Sequence, residues 1–343
     1  MIGAILGDFV GSQFDFRPIK TKDFEWIGPR SHFSDDSVMT IAVAGALVEA
    51  LQGQEPDTPV DYPLVAARAR ACMRTLGRAY PQAGYGSSFA IWLNQDTETG
   101  YGSCGNGACM RVSPCGLVAR SLDEARQLAY AVTVVSHDHI EGLRGAQATA
   151  EAVYLARAHL PLEEIKAYFE ATYCDLSFTV DEIRPNFTFD SSSQGTAPYA
   201  LRAFYESSSS YEDAIRTVMS LGGDSDTLGA TVGGMAAAYY GVPQEWRELI
   251  LKGLDERLRT IIAAAEALCL ARVSSVPSTD AESMHSAVDP KLATFEQSLH
   301  LDPELVRVEM QQALQNAPQL RYTVPPPGLE QLKRQEWMMH SAR

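Results

Sequence analysis

The sequence predicts an all-α protein. Apolar residues recur at three- and four-residue steps over most of the first 270 positions, which is the period of helices with one buried face. Segments in which β-branched and polar residues alternate, as they do in half-buried strands, are almost absent. Apolar side chains make up 45% of the 343 residues, which is enough for a substantial core.

The predicted helices follow one another closely along the chain. Acidic first turns, which complement the helix dipole, mark the starts at Leu122 and Leu162. Residues 41–47 and 228–237 carry almost no charge, which predicts two deeply buried helices. Each glycine inside a helix costs about 1 kcal/mol relative to alanine, so the glycines of 228–237 require compensation by close packing. The predicted spans are 38–51, 65–76, 122–135, 142–158, 162–172, 198–206, 211–220, 226–240 and 243–272.

The composition changes after residue 273. Residues 274–280 are rich in Ser and Pro, as linkers are, and helical spacing resumes in parts of 290–317. A proline run then interrupts the chain, and 329–339 has the pattern of a short helix. We therefore divide the chain into a helical domain, 1–273, and a C-terminal extension, 274–343, that is helical or partly disordered.

The bulk composition excludes several classes of function. The formal net charge of −15 repels phosphate backbones, so we expect no nucleic-acid partner. No run approaches the roughly 20 apolar residues of a membrane span, and the N-terminus lacks the basic start of a signal peptide. The six cysteines form no CxxC pair, which favours reduced thiols. We expect a monomeric cytoplasmic protein without a membrane partner.

Two acidic clusters, about 190 residues apart, precede the two uncharged helices. The first contains Ser34, Asp35 and Asp36, and the second contains Asp224, Asp226 and Thr227. Either cluster alone is typical of a helix N-cap, but a cap needs only one side-chain oxygen. Four carboxylates brought together among apolar helices would repel one another, and divalent cations would remove that penalty. Together the clusters indicate an all-oxygen site for Mg²⁺, and the same ligands suit Mn²⁺.

Three further segments are less specific by themselves. Residues 101–111 and 84–87 are glycine-rich, so each is either a tight loop or a place where backbone N–H groups approach a ligand. His137 and His139 flank an aspartate, but residues two apart share a side only in an extended strand, and no other histidine is near in sequence. We therefore favour a turn with one ligand-facing histidine over a zinc site.

Together with 7–16, these segments resemble in order the motifs of the ADP-ribosylglycohydrolase family. The shared motifs are GDxxGxxx(E/D), (S/T)DD before a helix, GNGxxMR, (S/T)H before a helix, and GGDxDT. The likeness covers roughly residues 1–260 and leaves the extension outside it. It implies an orthogonal all-α bundle with a central cleft that holds two Mg²⁺ ions, and a substrate that is an ADP-ribosylated protein or a small ADP-ribose conjugate.

The resemblance also implies roles for individual residues. Metal binding is implied for Ser34, Asp35, Asp36, Asp224, Asp226 and Thr227. Substrate binding is implied for Gly84, Tyr85, Gly86, Ser103, Cys104, Gly105, Asn106, Gly107, Met110 and His137. Asp15 stands where many members have a catalytic or gating glutamate, and we expect Asp36 or Asp226 to orient the attacking water.

Two residues depart from the family pattern. Asp15 is one methylene shorter than glutamate, so it reaches the reactive centre only through water or suits another leaving group. Cys104 stands where an aromatic residue is common, which weakens stacking on the substrate. We expect hydrolysis of ADP-ribosyl-arginine on protein. The alternatives are an O-linked substrate (ADP-ribosyl-serine or O-acetyl-ADP-ribose), a catalytically silent ADP-ribose-binding protein, or a Mg²⁺-dependent nucleotide phosphohydrolase.

Overall fold

Fifteen α-helices make up most of the regular structure in the computed structural model, which describes residues 1–15, 17–55, 58–207, 209–274 and 294–315. No β-strand occurs within these ranges. The helices are α1 (Ile2–Gly11), α2 (Asp35–Leu51), α3 (Tyr62–Ala79), α4 (Ser87–Asn94), α5 (Ser113–Val118), α6 (Leu122–Val134), α7 (Ile140–Ala156), α8 (Leu162–Thr172), α9 (Val180–Ile183), α10 (Ser193–Glu206), α11 (Tyr211–Met219), α12 (Ser225–Tyr240), α13 (Gln244–Gly253), α14 (Glu256–Val273) and α15 (Pro303–Leu314). Four 3₁₀ turns accompany them: Ser12–Phe14, Asn106–Ala108, Arg184–Asn186 and Glu296–Leu299.

The structure confirms the predicted all-α class and changes one element. The predicted helix 243–272 is two helices, α13 and α14, because α13 ends at Gly253 and Asp255 starts a new helix. The Asp255 side chain accepts a hydrogen bond from the Leu258 N–H at 3.0 Å, which caps α14. Helices α1, α4, α5 and α9 are additional, since their short or glycine-spaced sequences lack a clear helical period.

Helices α2 and α12, which contain the uncharged stretches 41–47 and 228–237, lie in the middle of the bundle. Helix α12 packs against α1, α7, α10 and α11, while α2 packs against α3 and α14. Three glycines of α1, four residues apart, face the α12 backbone: Gly3 lies against Gly233, Gly7 against Gly229, and Gly11 against Ser225. A Cβ atom at any of these glycines would overlap a carbonyl oxygen of α12. The glycines therefore let two backbones touch directly, which is the close packing that the sequence requires.

Residues 294–315 pack against the main bundle. Buried Arg157, at the end of α7, donates hydrogen bonds to the carbonyl oxygen of Leu299 at 2.9 Å and to that of Gly116 at 2.8 Å. The Glu309 carboxylate of α15 accepts hydrogen bonds from the Leu122 N–H and the Tyr154 hydroxyl, each at 3.0 Å. Most of the predicted linker (275–280) and the short helix at 329–339 lie outside the described residues, so the boundary at 273/274 stays a prediction.

Two general properties agree with the composition. All six cysteines carry free thiols. Among the described helices, none combines the length and the apolar character that crossing a bilayer demands.

A histidine pair joins α7 to the segment before α15. His159 adopts a left-handed backbone conformation (φ 49°), and its ring lies 4.2 Å from the ring of His300. Burial and the neighbouring His300 lower the pKa of His159 to about 4. Burial also lowers the pKa of His300.

Acid should therefore weaken the folded state at this contact. Below pH 6.5 the unfolded chain binds protons at both histidines before the folded chain does, so stability is lost as the pH falls toward 4. The His159 ring is partly exposed, and after allowance for solvent screening we expect a loss of about 1 kcal/mol between pH 7 and pH 5. Urea unfolding of the wild type and of His159→Asn at the two pH values measures it as the difference between their pH dependences, because every other titrating group is common to both. His159→Asn tolerates the left-handed conformation and should show a weaker pH dependence; an unchanged dependence would contradict the assignment.

Candidate active site

The two acidic clusters meet at one end of the α1–α12 contact. Ser34 is the N-cap of α2, and its side chain accepts a hydrogen bond from the Asp36 N–H at 3.1 Å. The Thr227 hydroxyl of α12 donates to Asp36 Oδ2 across 3.3 Å. This hydrogen bond joins the two acidic clusters, so the first turns of α2 and α12 lie next to each other.

A glycine turn sets the direction in which α12 begins. Gly222 and Gly223 adopt positive φ values of 67° and 82°, which side-chain-bearing residues rarely adopt. A Cβ atom at Gly223 would lie 2.7 Å from the ring of Phe187, so space as well as conformation requires glycine. The turn delivers Asp224 to the start of α12, where Asn106 Nδ2 donates to its Oδ2 at 2.7 Å.

Asp8 of α1 anchors the first cluster from behind. It is fully buried, and its Oδ2 accepts hydrogen bonds from the backbone N–H groups of Ser34 at 3.0 Å and Ser37 at 3.1 Å, as well as from the Ser37 hydroxyl. Asp8 therefore caps α2 from another helix. Asp8 received no role of its own in the sequence analysis, because nothing local ties α1 to α2.

The carboxyl groups strongly affect one another. Burial, followed by the charge of Asp226, raises the pKa of Asp15 and of Asp35 to about 8. The same two causes raise the pKa of Asp36 and of Asp224 well above the usual range. Each buried carboxylate disfavours ionisation of the next, so positive charge at this point would relieve an unfavourable interaction.

The residues present fit hard divalent cations. All six predicted ligands supply oxygen, which is the donor that Mg²⁺ and Mn²⁺ prefer. Asp36 is 2% exposed, and its Oδ1 has no hydrogen-bond partner, so one buried carboxylate oxygen remains to be satisfied. Within the described residues, no three Asp, Glu, His or Cys side chains are grouped closely enough to assign as ligands of one ion. A complete ligand set would therefore also include the hydroxyls of Ser34 and Thr227.

A cavity of about 940 Å³ opens over the two clusters. Among the predicted residues, those that line it are Asp15, Ser34, Asp35, Asp36, Gly84, Gly86, Ser103, Gly105, Asn106, Gly107, Met110, His137, Asp224, Asp226 and Thr227. Asp15 follows the 3₁₀ turn after α1, and its Oδ1 accepts a hydrogen bond from the Asp226 N–H at 3.3 Å. Segments from both ends and the middle of the main bundle therefore form one concave site.

Two predicted substrate-binding residues do not line this cavity. The Tyr85 ring packs behind Phe89 at 5.8 Å, and its hydroxyl is buried without a partner. The Cys104 carbonyl accepts a hydrogen bond from the Ser193 N–H at 2.8 Å, which ties the glycine loop to α10. Both residues support the cavity wall in this structure.

The two histidines have different positions. His137 is buried at the cavity, with its ring 5.9 Å from Phe89 and 5.6 Å from Tyr101. His139 instead caps α7, since its Nδ1 accepts a hydrogen bond from the Glu141 N–H at 3.2 Å. Of the two histidines, only His137 lines the cavity.

Several lining residues escaped the sequence reasoning. They are aromatic or basic: Phe89, Tyr101, Phe189, Arg17, Arg30, His32 and Arg111. Arg111 ends the GNGxxMR segment, so its position in that motif was the one available signal. Phe189 lies in an irregular loop, and no sequence pattern marks it.

Known proteins resemble this chain over most of its length. A model of the ADP-ribosylglycohydrolase family matches residues 1–336, further than the 1–260 over which motifs are apparent. ADP-ribosylhydrolase ARH3 of Homo sapiens is 27% identical over 323 residues, covering 72% of this chain and 87% of that protein. ADP-ribosylhydrolase ARH3 of Mus musculus is 25% identical over 326 residues, covering 72% of this chain and 85% of that protein.

A solved structure shares the fold. It is described as an ADP-ribosylglycohydrolase-related protein complex and superposes with a TM-score of 0.50 at 23% identity. The match covers 78% of this chain and 95% of that chain. From the family match across the chain, we conclude that this protein belongs to the ADP-ribosylglycohydrolase family, whose members are hydrolases that act on glycosidic bonds of ADP-ribose.

Proposed function

We propose that the protein is a Mg²⁺-dependent hydrolase that cleaves the bond between the anomeric carbon of ADP-ribose and a modified acceptor. The contact between Asp36 and Thr227 carries this proposal, because it brings the two oxygen-rich clusters to one cavity. Glycoside hydrolysis passes through an oxocarbenium-like transition state, which needs a positioned nucleophile and a group that manages the proton of the leaving atom.

Residues of this chain would position the nucleophile and manage the proton of the leaving atom. When bound, Mg²⁺ supplies Lewis acidity and makes water a better nucleophile near neutral pH. Asp36 or Asp226 would orient that water through a carboxylate oxygen. Asp15, which lines the cavity beside Asp226, is the candidate for the acid/base or gating role.

The glycine-rich segments suit the diphosphate of the substrate. Gly84, Gly86, Gly105 and Gly107 line the cavity, where backbone N–H groups can approach phosphate oxygens without interference from side chains. Asn106 is also a lining residue, but its side chain donates to Asp224 and to Thr196, at 2.7 and 3.1 Å. We therefore infer that Asn106 orients the proposed metal ligand Asp224 and also shapes the glycine loop.

ADP-ribosyl-arginine is the acceptor that we propose first, because the carboxyl group of Asp15 could accept hydrogen bonds from a guanidinium group. One observation favours an O-linked acceptor as the second candidate. The exposed side chains Arg17 and Arg30 line the same cavity, and like charge would oppose a cationic leaving group. A neutral serine or acetyl oxygen would meet no such repulsion.

A single assay separates these candidates. Purified protein is incubated with arginine-linked and serine-linked ADP-ribosylated peptides and with O-acetyl-ADP-ribose, after EDTA treatment and again with added Mg²⁺. We expect free ADP-ribose to appear only with Mg²⁺, and from the arginine-linked peptide first. If only the O-linked substrates are hydrolysed, the acceptor is O-linked and the proposal of ADP-ribosyl-arginine is wrong. Binding without turnover would indicate a silent ADP-ribose-binding protein, and AMP as the product would indicate a phosphohydrolase.

A further inference from the structure

His137 presents a nitrogen to the substrate cavity, and the hydrogen-bonding state of that nitrogen depends on groups behind the ring. His137 Nδ1 lies 2.9 Å from the Ser136 hydroxyl and 3.3 Å from Arg111 Nη2. Arg111 Nη2 also donates to the Ser136 hydroxyl at 2.7 Å, which leaves the hydroxyl proton free to point at Nδ1. A guanidinium group has no acceptor, so both neighbours of Nδ1 act as donors.

This arrangement selects one tautomer of the imidazole. A nitrogen that faces two donors must itself be the unprotonated acceptor, and the ring proton then resides on Nε2. Nε2 lies beside the glycine loop, where a Cβ atom at Gly107 would be 2.9 Å away and one at Gly105 would be 3.6 Å away. The absence of these side chains leaves Nε2 open toward the cavity.

Arg111 is itself enclosed by the protein. It is completely buried, and its guanidinium carbon lies 5.4 Å above the Phe89 ring. Burial lowers the pKa of Arg111 to about 10, with opposing contributions from Tyr101 and Asp35, so the guanidinium stays charged at neutral pH. A fixed positive charge behind the imidazole also opposes formation of an imidazolium ion.

We propose that Arg111 is a positioning residue that holds His137 as a neutral imidazole whose Nε2–H donates a hydrogen bond to an oxygen of the bound substrate. The assignment of the acceptor rests on the proposed function, whereas the tautomer does not. A neutral donor binds an oxygen without adding another positive charge to a site built for cations, and it stays a donor across the physiological pH range.

The first test measures the tautomer directly and needs neither substrate nor turnover. Protein labelled with ¹⁵N-histidine is examined by NMR between pH 5.5 and 8, and His137→Gln identifies the signal. We expect a proton on Nε2, a bare Nδ1, and no titration of this ring over that range. A proton on Nδ1, or an imidazolium ion at pH 7, would overturn the proposal even if the hydrolase assay succeeds.

The second test removes the donor. In Arg111→Met we expect a mixture of tautomers, titration of His137 nearer its ordinary pKa, and a new acidic limb in the pH profile of kcat/KM. Loss of a group that orients a metal-binding histidine typically lowers activity by about 10- to 100-fold, and we expect a similar loss here. Arg111→Lys retains a charged donor and should restore most of the Nε2–H tautomer.

Arg74→Met is the matched control for loss of a stacked arginine. The Arg74 guanidinium lies 4.8 Å over Trp92, which stacks on Phe89, but Arg74 does not line the cavity. We expect the His137 signals and the pH profile to be unchanged in this variant. If Arg111→Met keeps the His137 tautomer and the pH profile of kcat/KM of the wild type, Arg111 does not position His137. If Arg111→Met does not fold, the wild-type spectrum still decides the tautomer.

Discussion

Asp226→Ala should abolish hydrolysis while leaving the helical fold intact. The expected loss is on the order of 10³-fold or more, which corresponds to about 4 kcal/mol of transition-state stabilisation. The side chain lines the cavity, and its charge acts on every other carboxyl group of the two clusters. Hydrolysis of the preferred ADP-ribose conjugate at saturating Mg²⁺ measures the effect.

Thermal unfolding separates the loss of metal binding from a loss of fold. At about 100 times its Kd, Mg²⁺ should stabilise the wild type by about 2.7 kcal/mol, and Asp226→Ala should lose most of this gain. Without metal the variant should be slightly more stable than the wild type at pH 8, by on the order of 2 °C in Tm, because carboxylate repulsion is relieved.

Asp181→Ala provides the matched control. Asp181 lies on α9, pairs with Arg184 at 2.6 Å, and is largely exposed away from the cavity. It should keep normal activity and normal Mg²⁺ stabilisation. Near-normal turnover in Asp226→Ala would mean that the second cluster does not hold the metal.

Gly7→Ala should destabilise the protein more than an ordinary surface or core substitution. The new methyl group would overlap the carbonyl oxygen of Gly229, and a backbone atom cannot turn aside as a side chain can. Overpacking typically costs 1–3 kcal/mol, so we expect about 3 kcal/mol, or roughly 5 °C in Tm for a chain of this length. Activity should fall as well, because separation of α1 from α12 displaces Thr227 from Asp36.

Gly45→Ala is the control for the glycine effect. Gly45 lies inside α2, and a Cβ atom there would meet side chains and no carbonyl oxygen: Ile261 Cγ2 at 3.3 Å and Cys72 Sγ at 4.0 Å. The change should be neutral or stabilising by up to about 1 kcal/mol, since alanine is the better helix former. Equal Tm values for Gly7→Ala and Gly45→Ala would show that the α1–α12 contact is looser than described.

The all-α class could be predicted from the local hydrophobic period, and the errors in the predicted helices also have local causes. Period and composition were sufficient for α8, whose observed bounds match the prediction. The break between α13 and α14 was missed, because apolar spacing runs on through Leu254 and outweighed the capping signal of Asp255. Helix α1 was missed because its Gly3, Gly7 and Gly11 spacing lowers helix propensity, although the same spacing suits close helix packing.

The site was predictable as a set of donors but not as a geometry. The oxygen-bearing residues of both clusters could be named from their places before uncharged helices, and they do line the cavity. The supporting contacts could not be named in the same way. Asp8 caps α2, and Asn106 orients Asp224, through contacts between elements that are distant in sequence.

By itself, the sequence determined that this protein is helical and which oxygen donors stand at the starts of α2 and α12, since both depend on interactions within a few residues. Only the tertiary structure decided that Asp36 and Thr227 touch, that Asp8 of α1 caps α2, and that Arg111 lies behind His137. The physical reason is that local chemistry sets helix starts, whereas the distance between two helix starts depends on how closely the backbones pack. Here that distance depends on glycines at which α1 and α12 meet.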